Sequence, residues 1–388
     1  MPDSRTLRVP YILLQNYGKL KVRMMSSQQS TTKEEEDCLR AIQYATSTVL
    51  PFALKAAVDL DLFEIIAKSG PGSMVSAAEI VSKLPAKNSK APEIIDRILR
   101  FLTAHSVLDC KLVTDEDGNT TRVYGIASIG RYFAQNEDGI SLVPMLHLTM
   151  DRHMMECWNF LKEATLEGGL SFVRGFGVDI FEMAAKDRNL ANTFNHSMSN
   201  HTAIVMNKVL QIYKGFEGLT QVVDVGGGWG TNLKLIISKY PRIKGINFDL
   251  PFVVKDAPNI PGVEHVGGDM FNKVPNAEVI FMKWILHDWG DKECLKLLRN
   301  CYEAISECGK VIVVESVLPE LPTPNIVTAT TLSFDVGMLH LLPGGKERTF
   351  KEFETLFVQA GFAAFKPICR VYNYWVIELL KNVNNSPQ

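Results

Sequence analysis

One histidine and two glutamates stand where a folded chain could bring them together to move a proton. His287 comes four residues after Lys283, Glu315 follows the apolar run 311–314, and Glu347 lies in a glycine-containing basic loop. Carboxylates beside an imidazole fix its tautomer and stabilise the imidazolium, which suits a general base. We therefore predict these three residues as the catalytic group. Taken alone, His287 could also be a capping or core histidine.

A glycine-rich run from Val222 to Gly230 predicts a turn between a buried strand and a helix. Glycines let a ligand approach the backbone where a β-carbon would collide. Two acids, Asp249 and Asp269, follow strand-like runs, and acids at such strand ends accept hydrogen bonds from ribose hydroxyls or an adenine amine. The pattern predicts an adenosine site, and the alternative is a tight turn that binds no ligand.

Two residues near the glycine turn differ from a dinucleotide-binding site and indicate which kind of nucleotide binds. Counted from Gly226, the third glycine of a Gly-x-Gly-x-x-Gly fingerprint falls at Thr231, and Asp224 stands two residues before the first. An acid there is unfavourable for a pyrophosphate but suits a cationic ligand. S-adenosylmethionine carries an ammonium, a sulfonium and no phosphate, so we predict it as a methyl donor. No metal is predicted, because the histidines lack metal-ligand spacing.

Methyl transfer from a sulfonium requires an aligned acceptor and a base. A histidine with a pKa near 6.5 is about 3.5 units, roughly 5 kcal/mol, short of taking the proton of a phenol with a pKa near 10. The nearby sulfonium narrows that gap by favouring the phenolate, and carboxylates on the other ring nitrogen stabilise the imidazolium. An aliphatic alcohol would be much harder to deprotonate, so a phenol is the predicted acceptor.

Composition predicts a soluble globular protein of at least two domains, with 388 residues, 46% apolar content and a net charge of −2. The scattered charges give no footprint for nucleic acid or an anionic membrane. No apolar run approaches the ~18 residues that cross a bilayer. The seven cysteines are odd in number and form no C-x-x-C pair. That pattern favours buried thiols in a reducing, cytoplasmic setting.

The first 30 residues differ in composition from the rest of the chain. They are basic, nearly free of acids and end in a Ser/Gln-rich stretch, which resembles an organelle transit peptide. The alternative, which we favour, is an extension upstream of the usual start, because Met24 and Met25 precede an acidic helix start. In both cases we expect residues 1–30 to be disordered.

Residues 31–140 are predicted to form a mostly helical, winged-helix-like dimerisation domain. Apolar residues recur at helical spacing over 35–68 and predict two helices, with a break at Pro51. Ser76 to Glu79 has the form of a capping box and begins a short helix. An apolar first helix of this kind would pair with a partner subunit.

A helix and a hairpin complete the winged-helix pattern. The helix runs from Ala91 to His105, and Leu112–Thr114 with Thr121–Tyr124 predicts the hairpin. Winged helices often bind DNA, but Glu93 and Asp96 mix acids with the bases of this helix, and its apolar stripe is broad enough to be buried. We therefore favour a protein interface over a DNA-binding surface.

Residues 141–388 are predicted to form an α/β catalytic domain with a doubly wound, mostly parallel sheet and an antiparallel edge. A helical stretch from about 138 to 166 leads into it. The predicted strands are 221–225, 244–249, 263–267, 279–283, 310–315, 363–368 and 374–379, and the predicted helices are 231–239, 291–306 and one from 350. Ligands of such sheets bind beyond the carboxyl ends of the strands, where the glycine turn, the acids and His287 fall.

Five segments carry distinctive motifs: Val-Asp-Val-Gly-Gly-Gly at 223–228, Lys-Gly-Ile-Asn-Phe-Asp-Leu-Pro at 244–251, Gly-Val-Glu-His-Val-Gly-Gly-Asp-Met-Phe at 262–271, Phe-Met-Lys-Trp-Ile-Leu-His-Asp-Trp at 281–289 and Gly-Gly-Lys-Glu-Arg-Thr at 344–349. They resemble those of the plant caffeic acid O-methyltransferase family. The resemblance runs from about residue 35 to the end, and its last two motifs are highly specific. It implies a class I, Rossmann-like methyltransferase fold, a homodimer, S-adenosylmethionine as donor and methylation of a phenolic hydroxyl.

The resemblance also implies roles for individual residues. His287 is the base, flanked by Glu315 and Glu347. The donor site comprises Gly226, Asp249, Asp269, Met270 and Lys283, and the acceptor site comprises Phe194, Met198, His201, Met338 and Asp288. Asp288 could alternatively be a plain helix N-cap.

Four positions depart from the family pattern. Thr149 and Leu342 replace asparagines that bond ring substituents, Ala184 replaces a histidine, and Trp229 replaces a small residue of the glycine turn. We expect a more apolar pocket, which argues against caffeate or 5-hydroxyferulate because a buried hydroxyl without a partner costs a few kcal/mol. A flavonoid, coumarin, alkaloid phenol or phenylpropene fits equally well.

Two other classes of function stay open. A nicotinamide-dependent dehydrogenase is disfavoured by Thr231 and Asp224 and would have to bind the reduced cofactor. A winged-helix regulator with a ligand-binding domain would need DNA affinity that falls steeply with salt, and the mixed charge of 91–105 argues against it.

Overall fold

The computed structural model describes residues 31–382, so the predicted extension 1–30 lies outside the described residues. The chain divides into two compact units between Phe52 and Ala53. The first unit contains helix α1, Lys33–Ala45, which begins with a capping box because Thr32 accepts from the Glu35 amide and Glu35 accepts from the Thr32 amide. No residue of α1 is buried.

The prediction of two helices over 35–68 is wrong, because the structure has three. Helix α2, Val49–Asp59, runs across the division between the units, and α3, Leu62–Ala67, follows it. Pro51 lies in the first turn of α2, where the missing N–H has no helical partner to lose, so it does not break the helix. The second break comes at Asp61, whose φ of 54° is left-handed.

The second unit begins with helices and a small antiparallel sheet in the predicted order. Its elements are β1 (Val75–Ser76), α4 (Ala77–Ser82), α5 (Ala91–Ala104), β2 (Leu108–Thr114) and β3 (Thr120–Ile126), and the strand order is β1-β3-β2. The Ser76–Glu79 capping box begins α4, as predicted. Ile95, Leu99 and Leu102 form the buried stripe of α5. The winged-helix assignment stays a prediction.

A layer of helices precedes the large sheet. It comprises α6 (Val143–Thr149), α7 (Arg152–Glu156), a 3₁₀ turn (Cys157–Phe160), α8 (Leu161–Glu167), α9 (Ser171–Phe176), α10 (Ile180–Lys186) and the 25-residue α11 (Arg188–Ile212). The predicted single stretch 138–166 is therefore wrong. Asp151 begins a new helix there by accepting a hydrogen bond from the His153 amide.

The remainder of the second unit is the predicted doubly wound sheet. Its strands are β4 (Gln221–Val225), β5 (Lys244–Asp249), β6 (Val263–Gly267), β7 (Ala277–Lys283), β8 (Ile305–Leu318), β9 (Arg348–Thr349), β10 (Ala364–Val371) and β11 (Tyr374–Leu380). Its helices are α12 (Thr231–Lys239), α13 (Pro251–Lys255), α14 (Asp291–Ala304), α15 (Ile326–Leu341) and α16 (Phe350–Ala360). The order is β10-β11-β8-β7-β4-β5-β6, with β9 pairing β8, and only the pairs made by β11 are antiparallel.

The central strands fix the position of everything beyond their ends. Val223, Ile280, Val311 and Val313 are completely buried, because both faces of the sheet are covered by helices. Strands β4 to β8 run parallel, so their carboxyl ends meet along one edge. The α/β fold with an N-terminal helical part is therefore confirmed.

Two further expectations are tested by the described residues. None of their helices is both long and apolar enough to cross a membrane. All seven cysteines are free, as predicted, but Cys38 and Cys308 are exposed, so the expectation of buried thiols is wrong for those two.

Candidate active site

The glycine turn joins β4 to α12 at the carboxyl edge of the sheet. A β-carbon on Gly227 would lie 2.1 Å from Asn247 Oδ1, so the protein's own side chains require glycine there. Gly228 differs, because its φ is +55° and a β-carbon there would meet nothing within 4 Å. Its amide donates to Asp249 Oδ2 at 2.8 Å. Side chains of the protein therefore pack against the turn at Gly227, whereas the space beside Gly228 is empty.

Asp224, the acid from which the sequence predicts a cationic ligand, is buried beneath this turn. It has no exposed surface, and its Oδ2 accepts a hydrogen bond from Asn232 Nδ2 at 3.1 Å. Burial raises the pKa of Asp224 to about 7. Its immediate partner is therefore Asn232, and any influence of Asp224 on a ligand passes through the turn.

The predicted donor-site residues all lie at or just beyond the ends of parallel strands. Gly226 follows β4, Asp249 ends β5, Asp269 and Met270 follow β6, and Lys283 ends β7. The carboxylate of Asp249 accepts from the amides of Gly228 and Leu250, at 2.8 and 2.7 Å. Asp269 Oδ1 accepts from the Phe271 amide at 2.9 Å. These backbone hydrogen bonds hold both acids at the sheet edge, each with further lone pairs for a ligand.

Lys283 is buried, and no carboxylate within residues 31–382 forms a salt bridge with it. Its Nζ lies 4.3 Å from the ring centroid of Trp284. Burial lowers the pKa of Lys283 to about 8, although the charges of Glu315 and Asp224 oppose that change. A buried ammonium of this kind is destabilising at neutral pH unless a ligand or neighbour supplies compensating interactions.

His287 lies between two carboxylates on a short 3₁₀ turn, Leu286–Asp288. Its Nδ1 is 3.0 Å from Glu347 Oε1, and its Nε2 is 3.3 Å from Asp288 Oδ1. Burial alone lowers the pKa of His287, but the negative charges of Asp288, Glu347 and Glu315 outweigh it and raise the pKa to about 10. The ring is therefore a strong base.

The two predicted glutamates hold different parts of the segment around His287. Glu347 binds the ring itself, whereas Glu315 Oε1 accepts hydrogen bonds from the amides of Ile285 and Leu286, at 2.9 and 2.8 Å. Glu315 thus supports the backbone that precedes the ring. Ligand atoms of these three side chains lie within 4.8 Å of one another, a spacing that would also suit a metal ion. The prediction of no metal stays a prediction.

Asp288 is placed beside the base and does not cap the next helix. The N-cap residue of α14 is Gly290, so the N-cap alternative for Asp288 is wrong. Burial raises the pKa of the Asp288 carboxyl to about 6, opposed by the charge of His287. Asp288 is therefore part of the charge balance around His287.

An aromatic cluster that the sequence analysis does not identify surrounds this base. Trp284, at a left-handed φ of 57°, stacks on His201 with ring centroids 4.0 Å apart and lies 5.5 Å from the His287 ring. Tyr374 and Phe334 contact the same indole, and the Tyr374 hydroxyl is 3.1 Å from His201 Nε2. The sequence feature that could have indicated this cluster is Trp284 itself, which lies in the specific motif 281–289 and directly follows Lys283.

Three of the five predicted acceptor residues pack on one apolar cluster. Phe194, Met198 and Met338 pack against a cluster that includes buried Leu342. Thr149 directs its hydroxyl to the carbonyls of Met145 and Leu146, both at 3.1 Å. His201 is buried in the aromatic cluster, where burial, aided by the charges of Lys283 and His287, holds its pKa well below the usual value.

Trp229, the unusual residue of the glycine turn, contacts the long helix α11. Its ring lies 5.2 Å from that of His196, at an interplanar angle of 85°. The hydroxyls of Ser199 and Thr231 are 2.7 Å apart. The helix that carries Phe194 and Met198 is therefore attached to the turn at two points.

Comparison with known proteins agrees with this architecture. Residues 158–363 match the O-methyltransferase domain family, and residues 42–136 match the O-methyltransferase dimerisation domain family. The chain is 53% identical to a caffeic acid 3-O-methyltransferase of Catharanthus roseus, over 91% of this chain and 97% of the relative. It is 51% identical to an esculetin O-methyltransferase of Kitagawia praeruptora, over 90% and 96%.

Solved structures share the fold at lower identity. Human N-acetylserotonin methyltransferase, solved in complex with S-adenosylmethionine, matches with a TM-score of 0.76 over 92% of this chain and 99% of that chain, at 22% identity. A methyltransferase of calicheamicin biosynthesis matches with a TM-score of 0.75 over 91% and 100%, at 21% identity. At these identities the likeness concerns the fold alone.

Proposed function

The chain belongs to the O-methyltransferase family, and we propose that it transfers the methyl group of S-adenosylmethionine to a phenolic hydroxyl of a plant small molecule. The observation that carries this proposal is the buried His287–Glu347 pair at the carboxyl edge of the sheet, 3.0 Å between Nδ1 and Oε1. The acceptor belongs to the phenylpropanoids, flavonoids, coumarins or alkaloid phenols. The relatives named for caffeic acid and esculetin support a phenolic acceptor.

The donor is held by residues along the strand ends. The open face of Gly228 lets the ligand approach the backbone, Asp249 receives the ribose hydroxyls, and Met270 packs on the adenine. Asp269 and Lys283 complete the donor site. When bound, S-adenosylmethionine supplies a methyl group on a sulfonium, which is a good leaving group.

His287 acts as the general base in this proposal. Nδ1 is held by Glu347 at 3.0 Å, whereas Nε2 has only the longer contact with Asp288, at 3.3 Å, so we assign Nε2 as the nitrogen that takes the acceptor's proton. A pKa near 10 removes the gap between an ordinary histidine and a phenol. The same high pKa means that the free enzyme is mostly protonated at neutral pH, so activity should rise as pH increases toward that pKa.

The apolar lining favours acceptors with few polar ring substituents. Leu342 has no polar atom, and the Thr149 hydroxyl already donates within its own helix. A hydroxyl placed against this wall would lose its hydrogen bonds, which costs about 1–3 kcal/mol. We therefore infer that a less substituted phenol is preferred over caffeate.

The wider setting is proposed on separate grounds. We assign dimerisation to residues 31–140 and catalysis to 141–388, and the two family matches, 42–136 and 158–363, support that division. A homodimer follows from the dimerisation domain. The free cysteines support a cytoplasmic location. That no nucleic acid, membrane or metal ion takes part stays a prediction from the sequence.

Purified protein, labelled S-adenosylmethionine and a panel of phenols test this function. Wild type should methylate at least one phenol, and His287→Ala should lower kcat by about 10²–10⁴-fold while the donor Kd stays within about threefold. Chelation with EDTA should change nothing. Undiminished transfer by His287→Ala would refute the base, and failure to bind S-adenosylmethionine, or binding of a reduced nicotinamide instead, would refute the methyltransferase.

A further inference from the structure

The turn that carries His287 is poorly closed by its own backbone. The amide of Asp288 is 3.3 Å from the Ile285 carbonyl, and that of Trp289 is 3.4 Å from the Leu286 carbonyl. Backbone hydrogen bonds are usually 2.7–3.2 Å long, so these two are weak. Three residues of 3₁₀ helix cannot fix a side chain without outside support. The position of the His287 ring must therefore depend on groups from other elements.

Arg348, from the short strand β9, supplies such support. Its side chain has no exposed surface, and its Nη1 and Nη2 donate to the carbonyls of Leu286 and Trp289, at 2.7 and 2.8 Å. Its Nε and Nη2 also donate to Asp291 Oδ1, at 3.0 and 2.7 Å. One guanidinium thus bridges the residue before His287 and the second residue after it.

An acid, Glu315, binds the backbone amides of the same segment. Glu315 takes the amides of Ile285 and Leu286, while Arg348 takes the carbonyls of Leu286 and Trp289. The amides of the turn are therefore bound by a residue of β8, and its carbonyls are bound by a residue of β9. The Asp291 carboxylate balances the charge of the guanidinium and fixes its plane.

We propose that Arg348 is a positioning residue that holds the His287 ring at bonding distance from Glu347. The proposal rests on the proposed role of His287 as the base. The planar guanidinium makes four hydrogen bonds to these two carbonyls and the carboxylate in a fixed geometry, whereas an ammonium has only three donors at the end of a flexible stem. The geometry of the side chain, more than its charge, therefore performs this function.

Arg348→Lys separates geometry from charge, because it keeps the cation and loses the fork. Asp291→Asn is a milder second variant, since it removes only the carboxylate that fixes the guanidinium. Lys310→Met is the matched control. Lys310 forms a half-buried ion pair with Glu378, at 2.6 Å, near the other end of β8. All three should lower the melting temperature, so stability alone does not distinguish them.

The first measurement is the titration of His287 by NMR in protein labelled with ¹³C-histidine, with the resonance assigned by its absence from His287→Gln. The groups that face this ring are Asp288, Glu347, Glu315 and His201. In Arg348→Lys the ring should move away from its carboxylates, and its pKa should fall by about one unit or more. Lys310→Met should leave the titration unchanged.

The second measurement is turnover of whichever phenol the wild type methylates. Arg348→Lys should lose about 10²-fold in kcat, with the KM for S-adenosylmethionine within about threefold, because misplacing a catalytic group by about 1 Å has this effect. Asp291→Asn should lose less, in the same direction. A folded Arg348→Lys protein with an unchanged His287 titration would overturn the proposal. The NMR result decides this even if no phenol is methylated, which would refute the proposed function separately.

Discussion

At the scale of single residues, the candidate site surrounds one imidazole with carboxylates. Glu347 contacts the ring directly, so Glu347→Gln removes a negative charge that stabilises the imidazolium. The proton should then leave His287 at lower pH, because its pKa falls from about 10 toward its ordinary value. The acidic limb of the kcat/KM profile should therefore move to lower pH, and the limiting rate should fall.

Glu354→Gln is the control for that profile. Glu354 is an exposed glutamate of α16, so its substitution removes the same charge away from the ring. An acidic limb that stays in place in Glu347→Gln would show that His287 is not the titrating group. NMR titration of the histidine gives the same answer without an acceptor.

Replacing Lys283 with an apolar residue should raise the stability of the protein and weaken its binding of S-adenosylmethionine. Burial lowers its pKa from 10.5 to about 8, so the unfolded chain binds more protons between these values and stability rises with pH across that window. Lys283→Met removes the buried charge, and its melting temperature at pH 7 should exceed that of wild type by several degrees. The advantage should fade as pH rises from 8 to 10.5 and be absent above 10.5, where the wild-type lysine is neutral in both states. S-adenosylmethionine should bind more weakly.

Thermal melts of Lys283→Met at several pH values, beside the exposed-lysine control Lys351→Met, check this. A lower melting temperature for Lys283→Met at pH 7 would show that neighbouring groups fully compensate the ammonium. Donor affinity measured by calorimetry on the same samples reports the binding role independently.

Sequence predicts the site residues that stand at strand ends better than it predicts their contacts. Asp249 and Lys283 end their strands, and Glu315 comes directly after the last pair that β8 forms with β7, so the three converge at one edge of the sheet, as the strand pattern predicts. Which glutamate touches the His287 ring depends on side-chain geometry that no pattern encodes. Tyr374 meets His201 across a sequence separation of 173 residues, so its part in the cluster was invisible.

At the scale of elements, the glycine turn predicts different outcomes at adjacent positions. Gly227→Ala would push a β-carbon to 2.1 Å from Asn247 Oδ1, which must disrupt the turn. We expect a loss of about 1–3 kcal/mol of stability and more than tenfold weaker donor binding. Gly228→Ala meets no atom within 4 Å and suffers only from its positive φ, at about 1–2 kcal/mol.

Chemical denaturation and calorimetry with S-adenosylmethionine compare the two glycine variants. Equal losses of donor binding in both would mean that backbone strain dominates over the collision with Asn247. A much greater loss of donor binding than of stability in Gly228→Ala would support close approach of the ligand on its open face.

Helices with a clean apolar period are predictable from the sequence, whereas α11, which carries predicted acceptor residues, is not. Helix α5 has a regular buried stripe of Ile95, Leu99 and Leu102. The 25-residue α11 instead buries Ser197 and His201 among its apolar residues, which breaks the helical signal. Its polar positions contact the glycine turn and the aromatic cluster, so its role in the site is the physical reason that it was missed.

At the scale of the whole molecule, helix α1 has an uncovered apolar face. Leu39 and Ile42 lie three residues apart on one side of it and are 52% and 53% exposed. If a second chain covers them, wild type should have twice the chain mass of 43.3 kDa in light scattering, and Leu39→Glu with Ile42→Glu should shift it toward the single mass.

Ala41→Glu adds one such charge, half that of the double variant, on another side of α1 and should leave the mass at twice the chain value. A double variant that keeps the dimer mass would place the interface elsewhere. The helical character of this domain was predictable from its apolar periodicity, but the exposed apolar face of α1 is seen only in the structure.

The packing beneath the glycine turn also bears on how such proteins diverge. Gly227 is required by Asn247 and Asp224 of the same chain, whether or not any ligand is present. A descendant that had lost its catalytic activity would still be selected to keep this glycine, because any larger residue there would destabilise its fold. The turn is thus a mark of ancestry, whereas the residues at 287 and 347, which we propose as the base and its partner, would report retained chemistry. Active enzymes and their non-catalytic descendants should be told apart at those two positions.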